Sequence, residues 1–257
     1  MKIVVMMILA ICLFANKLPN TCASGIDSHC IKIYTEHYPP YNMEDENGNI
    51  IGSSVEVLEA VLKELKSTQT IKKDVKLRSW AKSYKVAQKV KNAMVFSTTR
   101  TASRENLFKW VGPIATATVG VVALKSKNIA INKVSDLNKY KIGAVLADVG
   151  ETLLLDKGVD KKNIQYVKGE DAINISFNKM LKNRIDMFAY NLNVAFANAK
   201  MAGFDVNKFE IVHTLKVGEQ YFAFNKDTDD NVIKSWQNAL DTIKKNGTYQ
   251  KIQNRYK

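Results

Sequence analysis

The sequence predicts an α/β fold in two lobes, on three observations. Strand-like and helix-like segments alternate from residue 31 to the C-terminus. Their succession starts afresh after Gly112-Pro113, with a second set of elements. No low-complexity linker or internal repeat separates the two sets, so a chain that crosses between lobes more than once fits the pattern. The size agrees, because 257 residues with 46% apolar content can bury one large core or two small ones.

Residues 1–23 read as a secretory leader, to be set aside from the fold. Lys2 gives a positive start, residues 3–15 form an unbroken apolar run, and Thr21-Cys22-Ala23 offers small residues for cleavage. That run falls short of the ~20 apolar residues needed to span a bilayer. Lipid anchoring at Cys22 is the weaker alternative, since Pro19-Asn20-Thr21 is a poor approach to an acylated cysteine. Cleavage after Ala23 removes Cys12 and Cys22 and leaves Cys30 alone, which reads as a small buried hydrophobe. No later stretch reaches transmembrane length, which predicts a soluble protein outside the cytoplasm.

The first lobe opens with alternating residues 31–35, a strand ended by the prolines of Glu36-His37-Tyr38-Pro39-Pro40-Tyr41. Asn47-Gly48 signals a tight turn. Ser53 with Glu56 three residues on predicts a capping box, and Val57, Leu58, Val61, Leu62 and Leu65 supply one apolar helix face. Residues 75–77 make a second strand with Trp80 just beyond it, and Tyr84, Val86, Ala87 and Val90 a second helix. Residues 93–96 are a third, fully apolar strand.

In the second set, residues 119–124, 141–145, 164–167, 186–190 and 209–212 read as strands. Between them fall a helix opening at Gly150, one marked by Ala172, Ile173, Phe177, Met180 and Leu181, and one over residues 192–201. The helix start at Gly150 presents N–H groups suited to an anion. A strand at 221–224 follows, then a helix capped by Asp229 or Asp230 with Val232, Trp236 and Leu240 on its apolar face. Trp236 reads as core. A last short helix carries Tyr249, Ile252 and Tyr256.

Composition narrows the partners. The formal charge is +13 and falls by two, to +11, if Lys2 and Lys17 leave with the leader. A basic chain invites nucleic acid or anionic lipid. Here the lysines are scattered, with no run of five and no basic stripe interleaved with stacking aromatics, so they read as a solvated surface and no nucleic-acid partner is expected. His29, His37 and His213 stand far apart without cysteine or carboxylate spacing around them, so no metal site and no cofactor are expected.

One stretch carries chemistry. Residues 96–113, FSTTRTASRENLFKWVGP, set Ser97, Thr98, Thr99 and Thr101 beside Arg104. A planar fork of N–H donors with short hydroxyls around it suits a carboxylate, although Ser/Thr clusters also simply build turns. The stretch leaves the carboxyl end of the third strand, the edge at which open α/β sheets bind ligands, and this favours a site.

With these segments in order, the chain resembles the bacterial extracellular solute-binding proteins of the polar amino acid type, family 3, which serve ABC importers. The resemblance rests on TEHYPPYN at 35–42, GSSVEVLEAVLKEL at 52–65, TRTASRENLFKWVGP at 99–113, KNRIDMFAYN at 182–191 and NGTYQKI at 246–252. It implies a periplasmic-binding-protein type II fold: two α/β lobes joined by two hinge strands, with the ligand cleft between them. Lobe 1 would comprise residues 24–115 plus 220–257 and lobe 2 residues 116–219. It further implies a monomer in the periplasm that delivers a small carboxylate-bearing solute to a permease in the inner membrane.

Residue by residue, Arg104 matches the family arginine for the ligand carboxylate, and Ser97 and Thr99 match its hydroxyl and backbone partners. Tyr38 matches an aromatic that packs on the ligand, and Trp80 lies within a residue of a second one. Asn191 departs from the pattern, standing where amino-acid-binding members carry an aspartate for the ammonium group. Asp148-Val149-Gly150-Glu151 replaces the usual glycine-hydroxyl turn. Glu36 and Glu151 are candidates for the missing negative charge. Two other classes share these lobes. One comprises enzymes of the cyclohexadienyl dehydratase type, for which Glu36 or Glu151 would be the acid or base. The other comprises sensors that signal to a membrane receptor. No Ser-His-Asp or Cys-His pairing accompanies the carboxylates, so no catalytic residues are expected.

Overall fold

The computed structural model describes residues 30–169 and 171–256. The expected leader, with Cys12 and Cys22, lies outside them. Ile31, Ile33 and Tyr34 are buried around β1 (Lys32–Thr35), and a two-stranded ribbon, β2 (Met43–Glu44) and β3 (Ile50–Ile51), closes over the Asn47-Gly48 turn. Helix α1 (Ser53–Glu64) then leads to the short α2 (Ile71–Asp74), β4 (Val75–Leu77), α3 (Trp80–Lys89) and β5 (Ala93–Thr99). The long strand β6 (Phe108–Leu124) carries the chain into β7 (Ile142–Val145), α4 (Val149–Asp156), β8 (Ile164–Val167), α5 (Ala172–Leu181), β9 (Met187–Asn191) and α6 (Leu192–Met201). A second long strand, β10 (Phe209–Asn225), brings it back to α7 (Asp230–Lys245) and α8 (Thr248–Arg255).

The strand order β4-β1-β5-β10-β6-β9-β7-β8 shows how two lobes share one hydrogen-bonded ribbon. Only β6 and β10 belong to both. The far part of β10 pairs with β5, from Gln220 opposite Thr99 to Phe224 opposite Met94, while the far part of β6 pairs with β9 over residues 119–123. Between these regions β6 and β10 pair only with each other, and the register slips near Thr214/Lys216 and Gln220/Phe222. Such irregularities bend and twist a ribbon locally, which suits a hinge.

Each lobe has an apolar layer on both faces of its sheet. In the first, α1, α7 and α8 bury Val57, Leu58, Leu240 and Ile252 against Ile33, Met94, Phe96, Phe222 and Phe224. Trp236 stands edge-on to Phe222 and Phe224, as core. On the other face α3 covers Val95 and Ala223 with Trp80 and Ala87. In the second lobe, α5 and α6 pack Phe177, Met180 and Ala195 on Val122 and Phe188, and α4 packs Leu153 and Leu154 on Val121, Ala144 and Met187. Tyr38 and Tyr41, from the loop after β1, belong to the core of the second lobe, so the two lobes meet through aromatic packing.

Three local expectations are corrected. The capping box at Ser53 does not form: Gly52 is the N-cap, at φ 128°, and no side chain caps the helix. The first N–H groups instead reach backbone carbonyls, Ser53 to Pro40 at 3.1 Å and Ser54 to Tyr41 at 2.9 Å. A Cβ at Gly52 would lie 2.4 Å from the Tyr41 carbonyl oxygen, so glycine is required there. Residues 209–212 and 221–224 are not separate strands but one, β10, because the hinge ribbon pairs continuously through the polar residues between them. Cys30 is half-buried rather than a fully buried hydrophobe, because it precedes β1 instead of lying within the strand.

Candidate ligand-binding cleft

The cleft is built where β1 and β5 end and α3 and α4 begin. All seven residues of β5 are buried, so the strand runs beyond Phe96 and carries Ser97 and Thr99 to its carboxyl edge. Ser97 sits in the left-handed region at φ 58° and donates its hydroxyl to Asn42 Oδ1. Asn42 Nδ2 donates in turn to the Glu36 carbonyl at 2.7 Å. This pair ties the strand end to the loop carrying Glu36 and Tyr38.

Arg104 projects from a 3-10 turn, Ala102–Leu107, and is only 2% exposed. Its guanidinium lies over Trp80 and Tyr84, at 5.5 and 5.1 Å from the ring centres. Nη1 donates to the Thr99 carbonyl at 3.3 Å. Nη2 donates across the lobe boundary, to the Ala147 carbonyl at 2.9 Å and to Thr152 Oγ1 at 3.3 Å. Its Nε and the hydroxyl of Thr99 are buried without a partner among the described residues. Trp80 Nε1 also donates to the Ala147 carbonyl, at 2.7 Å, so two side chains of one lobe converge on a single carbonyl of the other. Ala147 is itself at φ 62°.

A cavity of about 440 Å³ opens beside this contact. Glu36 and Trp80 line it from the first lobe, and Val145, Lys168, Ile173 and Tyr190 from the second. Tyr38 is buried next to it, edge-on to Tyr190 with ring centres 5.7 Å apart. Among the expected site residues, Glu36 and Trp80 therefore line the cavity, while Arg104, Ser97, Thr99 and Tyr38 are buried and do not line it. Glu151 turns back toward the start of its own helix: its carboxylate accepts from the Ala147 N–H. Asn191 is fully buried and caps α6 by accepting from the Val194 N–H at 3.2 Å, and its Nδ2 has no partner among the described residues.

Asp148 is a site residue that sequence reasoning missed. It caps α4 by accepting from the Gly150 N–H at 2.9 Å, it is 2% exposed, and its charge reaches Glu36. The signal was present as an acid immediately before a helix start, which is an ordinary cap; the burial was not readable. Burial holds the Asp148 carboxyl up at about 6, against the opposing pull of the Gly150 N–H and Arg104. Burial also pushes Glu36 well above the usual carboxylate range, with Asp148 adding to the effect and Arg104 opposing it. The hydroxyls of Tyr38 and Tyr190 are raised likewise, first by burial and then by the same two carboxylates. Ionised together, Glu36 and Asp148 outnumber Arg104 by one charge, and an unpaired buried charge is costly. The site can hold a proton on one of them or accept a positive group from outside.

Two α/β lobes on a shared two-strand hinge, with a charged and aromatic cavity between them, define a two-lobed solute-binding protein of the periplasmic type II fold. The fold agrees with solved structures that share it. An ancestral arginine-binding protein bound to arginine matches at a TM-score of 0.71 and 24% identity, over 88% of this chain and 97% of its own. A histidine kinase sensor domain with similarity to periplasmic binding proteins matches at 0.74 and 15% identity, over 90% and 97%. The chain belongs to the bacterial extracellular solute-binding proteins, family 3, whose model matches residues 31–257. A curated relative, "Probable amino-acid-binding protein YxeM" of Bacillus subtilis (strain 168), is 29% identical over 215 residues, 82% of this chain and 77% of the relative.

Proposed function

We propose that this protein is the periplasmic solute-binding component of an ABC importer, taking up an amino acid or a related small carboxylate-bearing solute by hinge closure. The observation that carries this reading is Arg104: buried at the lobe boundary, held between two aromatic rings, and donating to a backbone carbonyl of the opposite lobe. A ligand carboxylate exchanges with the Ala147 carbonyl and takes the fork from Nη2 and the unpartnered Nε, with the Thr99 hydroxyl beside it. Ser97 holds the strand edge, Tyr38 and Trp80 supply apolar walls, and Glu36 takes the positive group. From the second lobe, Glu151 steadies the Ala147 N–H and Asn191 offers its free amide.

In this reading residues 1–23 are the export leader, and Glu219 and Gln220, paired with Thr116 and Ala115, mark where lobe 2 (116–219) meets lobe 1 (24–115 plus 220–257). The protein acts as a monomer and docks on a permease in the inner membrane. No helix of the described residues is long and apolar enough to cross a membrane.

Calorimetry against a panel of amino acids, peptides and organic acids tests the reading. Arg104→Lys keeps the charge but removes the fork, and is expected to weaken the bound amino acid by about 10- to 100-fold, the size of a lost charge-assisted hydrogen bond. Undiminished affinity in that variant would sink the carboxylate assignment. One observation favours a second reading, an enzyme of the cyclohexadienyl dehydratase type: Asp148, held at about 6 near Glu36 and ionised at neutral pH, is poised as a general base. Recovery of unchanged ligand supports binding, and turnover of prephenate or arogenate supports the enzyme.

A further inference from the structure

Closing the two lobes brings like charges together around the cavity. Glu36 lines it from the first lobe, and Asp148 of the second, buried at the start of α4, lies near enough for its charge to reach Glu36, with Arg104 offsetting only one of the two. At the mouth the first lobe presents Arg78 and Lys82, from the turn before α3 and its first turn, and the second presents Lys168, just past β8. All three cations are exposed, and none forms an ion pair with a described carboxylate; Arg78 rests over the Tyr34 ring at 5.4 Å. Like charges facing across a narrow gap oppose closure, and an opposite charge placed between them turns each repulsion into two attractions.

Resting on the amino-acid reading above, we infer that the cleft selects an amino acid with an acidic side chain. Its ammonium sits between Glu36 and Asp148, its main carboxylate lies on Arg104, and its side-chain carboxylate lies among Arg78, Lys82 and Lys168. The usual ammonium partner in this reading is replaced, because Asn191 is neutral and already committed to capping α6. A basic side chain would meet the three mouth cations, and a neutral amide would leave them facing one another.

The test is calorimetry of the intact protein with L-glutamate, L-aspartate, L-glutamine and L-arginine, repeated on a Lys82→Gln, Lys168→Gln double variant and on Glu36→Gln. The acidic pair is expected to bind at least about tenfold tighter than glutamine, with arginine weakest. The double variant should bring glutamate and glutamine to within about threefold of each other, glutamate weakening as it loses its partners and glutamine tightening as the repulsion across the mouth is relieved. Glu36→Gln should weaken all the amino acids together. Glutamine or arginine binding as tightly as glutamate, or a preference for glutamate that survives in the double variant, overturns the inference and leaves the amino-acid reading intact. Absence of heat with every amino acid overturns the amino-acid reading itself and the inference with it.

Discussion

Replacing Asp148 by Asn should stabilise the protein at neutral pH, because the native carboxylate is ionised there in a place that resists charge. The side chain is buried, and burial lifts its carboxyl from the usual 3.8 to about 6. At about 1.4 kcal/mol for each pH unit, that displacement costs the folded state ~3 kcal/mol once the group is ionised. The sign follows from proton binding. Between pH 4 and 6 the folded protein holds a proton that the unfolded chain has released, so stability falls as pH rises through this window and the cost is complete above it. Asparagine keeps an oxygen for the Gly150 N–H but loses the favourable charge at the helix start, worth about 0.3–1 kcal/mol. The expected gain is therefore ~2 kcal/mol at pH 7.5, shrinking toward zero at pH 4. Urea unfolding of both proteins across that range measures the difference directly. A variant less stable than the parent at pH 7.5, or a difference independent of pH, would refute the argument that Asp148 is a desolvated carboxylate.

Three further outcomes follow from the packing. Gly150→Ala places a Cβ 2.3 Å from the Ala189 carbonyl oxygen and 2.8 Å from its carbon, with only backbone to move, and should cost about 1–3 kcal/mol in thermal or urea unfolding. An unchanged midpoint would show that α4 can shift away from β9. Asn191→Asp puts a third carboxylate beside a site already short of positive charge, at a fully buried position, and should lower the melting temperature at pH 7.5 with the loss easing at lower pH. Equal melting of the two proteins at pH 7.5 would mean that Asn191 lies in a better-solvated place than its burial indicates. Phe177 is fully buried, with ring centres 4.8 Å from Phe209 and 5.6 Å from Phe204, so Phe177→Ala should lose about 3–5 kcal/mol, and a loss below ~1 kcal/mol would mean the second lobe refills the void.

The elements of the fold were legible because hydrophobic period is a local property. The apolar faces of α1, α5 and α7, the runs in β1, β5 and β9, and the aspartate cap at Asp229 all follow from residues within a few positions of each other. The carboxyl edge carrying Ser97, Thr99 and Arg104 was readable for the same reason, since a strand end followed by hydroxyls and an arginine announces itself. Gly52 as the N-cap was not readable, because the carbonyls that satisfy the first turn of α1 belong to Pro40 and Tyr41, across a loop. Asp148 read as an ordinary cap for a similar reason. Its burial comes with the assembled fold, and one residue's charge cost depends on what is packed over it.

What the sequence alone determined is the succession of strands and helices, the two sets in which they fall and the family they resemble, all of which rest on patterns along the chain. Only the tertiary structure decided that one carbonyl, that of Ala147, receives both Arg104 and Trp80 across the lobe boundary. It also decided that Glu151 serves the start of its own helix, and that the charge of Asp148 reaches Glu36. The physical reason is range. Propensity and periodicity act over a few residues, whereas desolvation and charge pairing act over a few ångströms between residues dozens of positions apart.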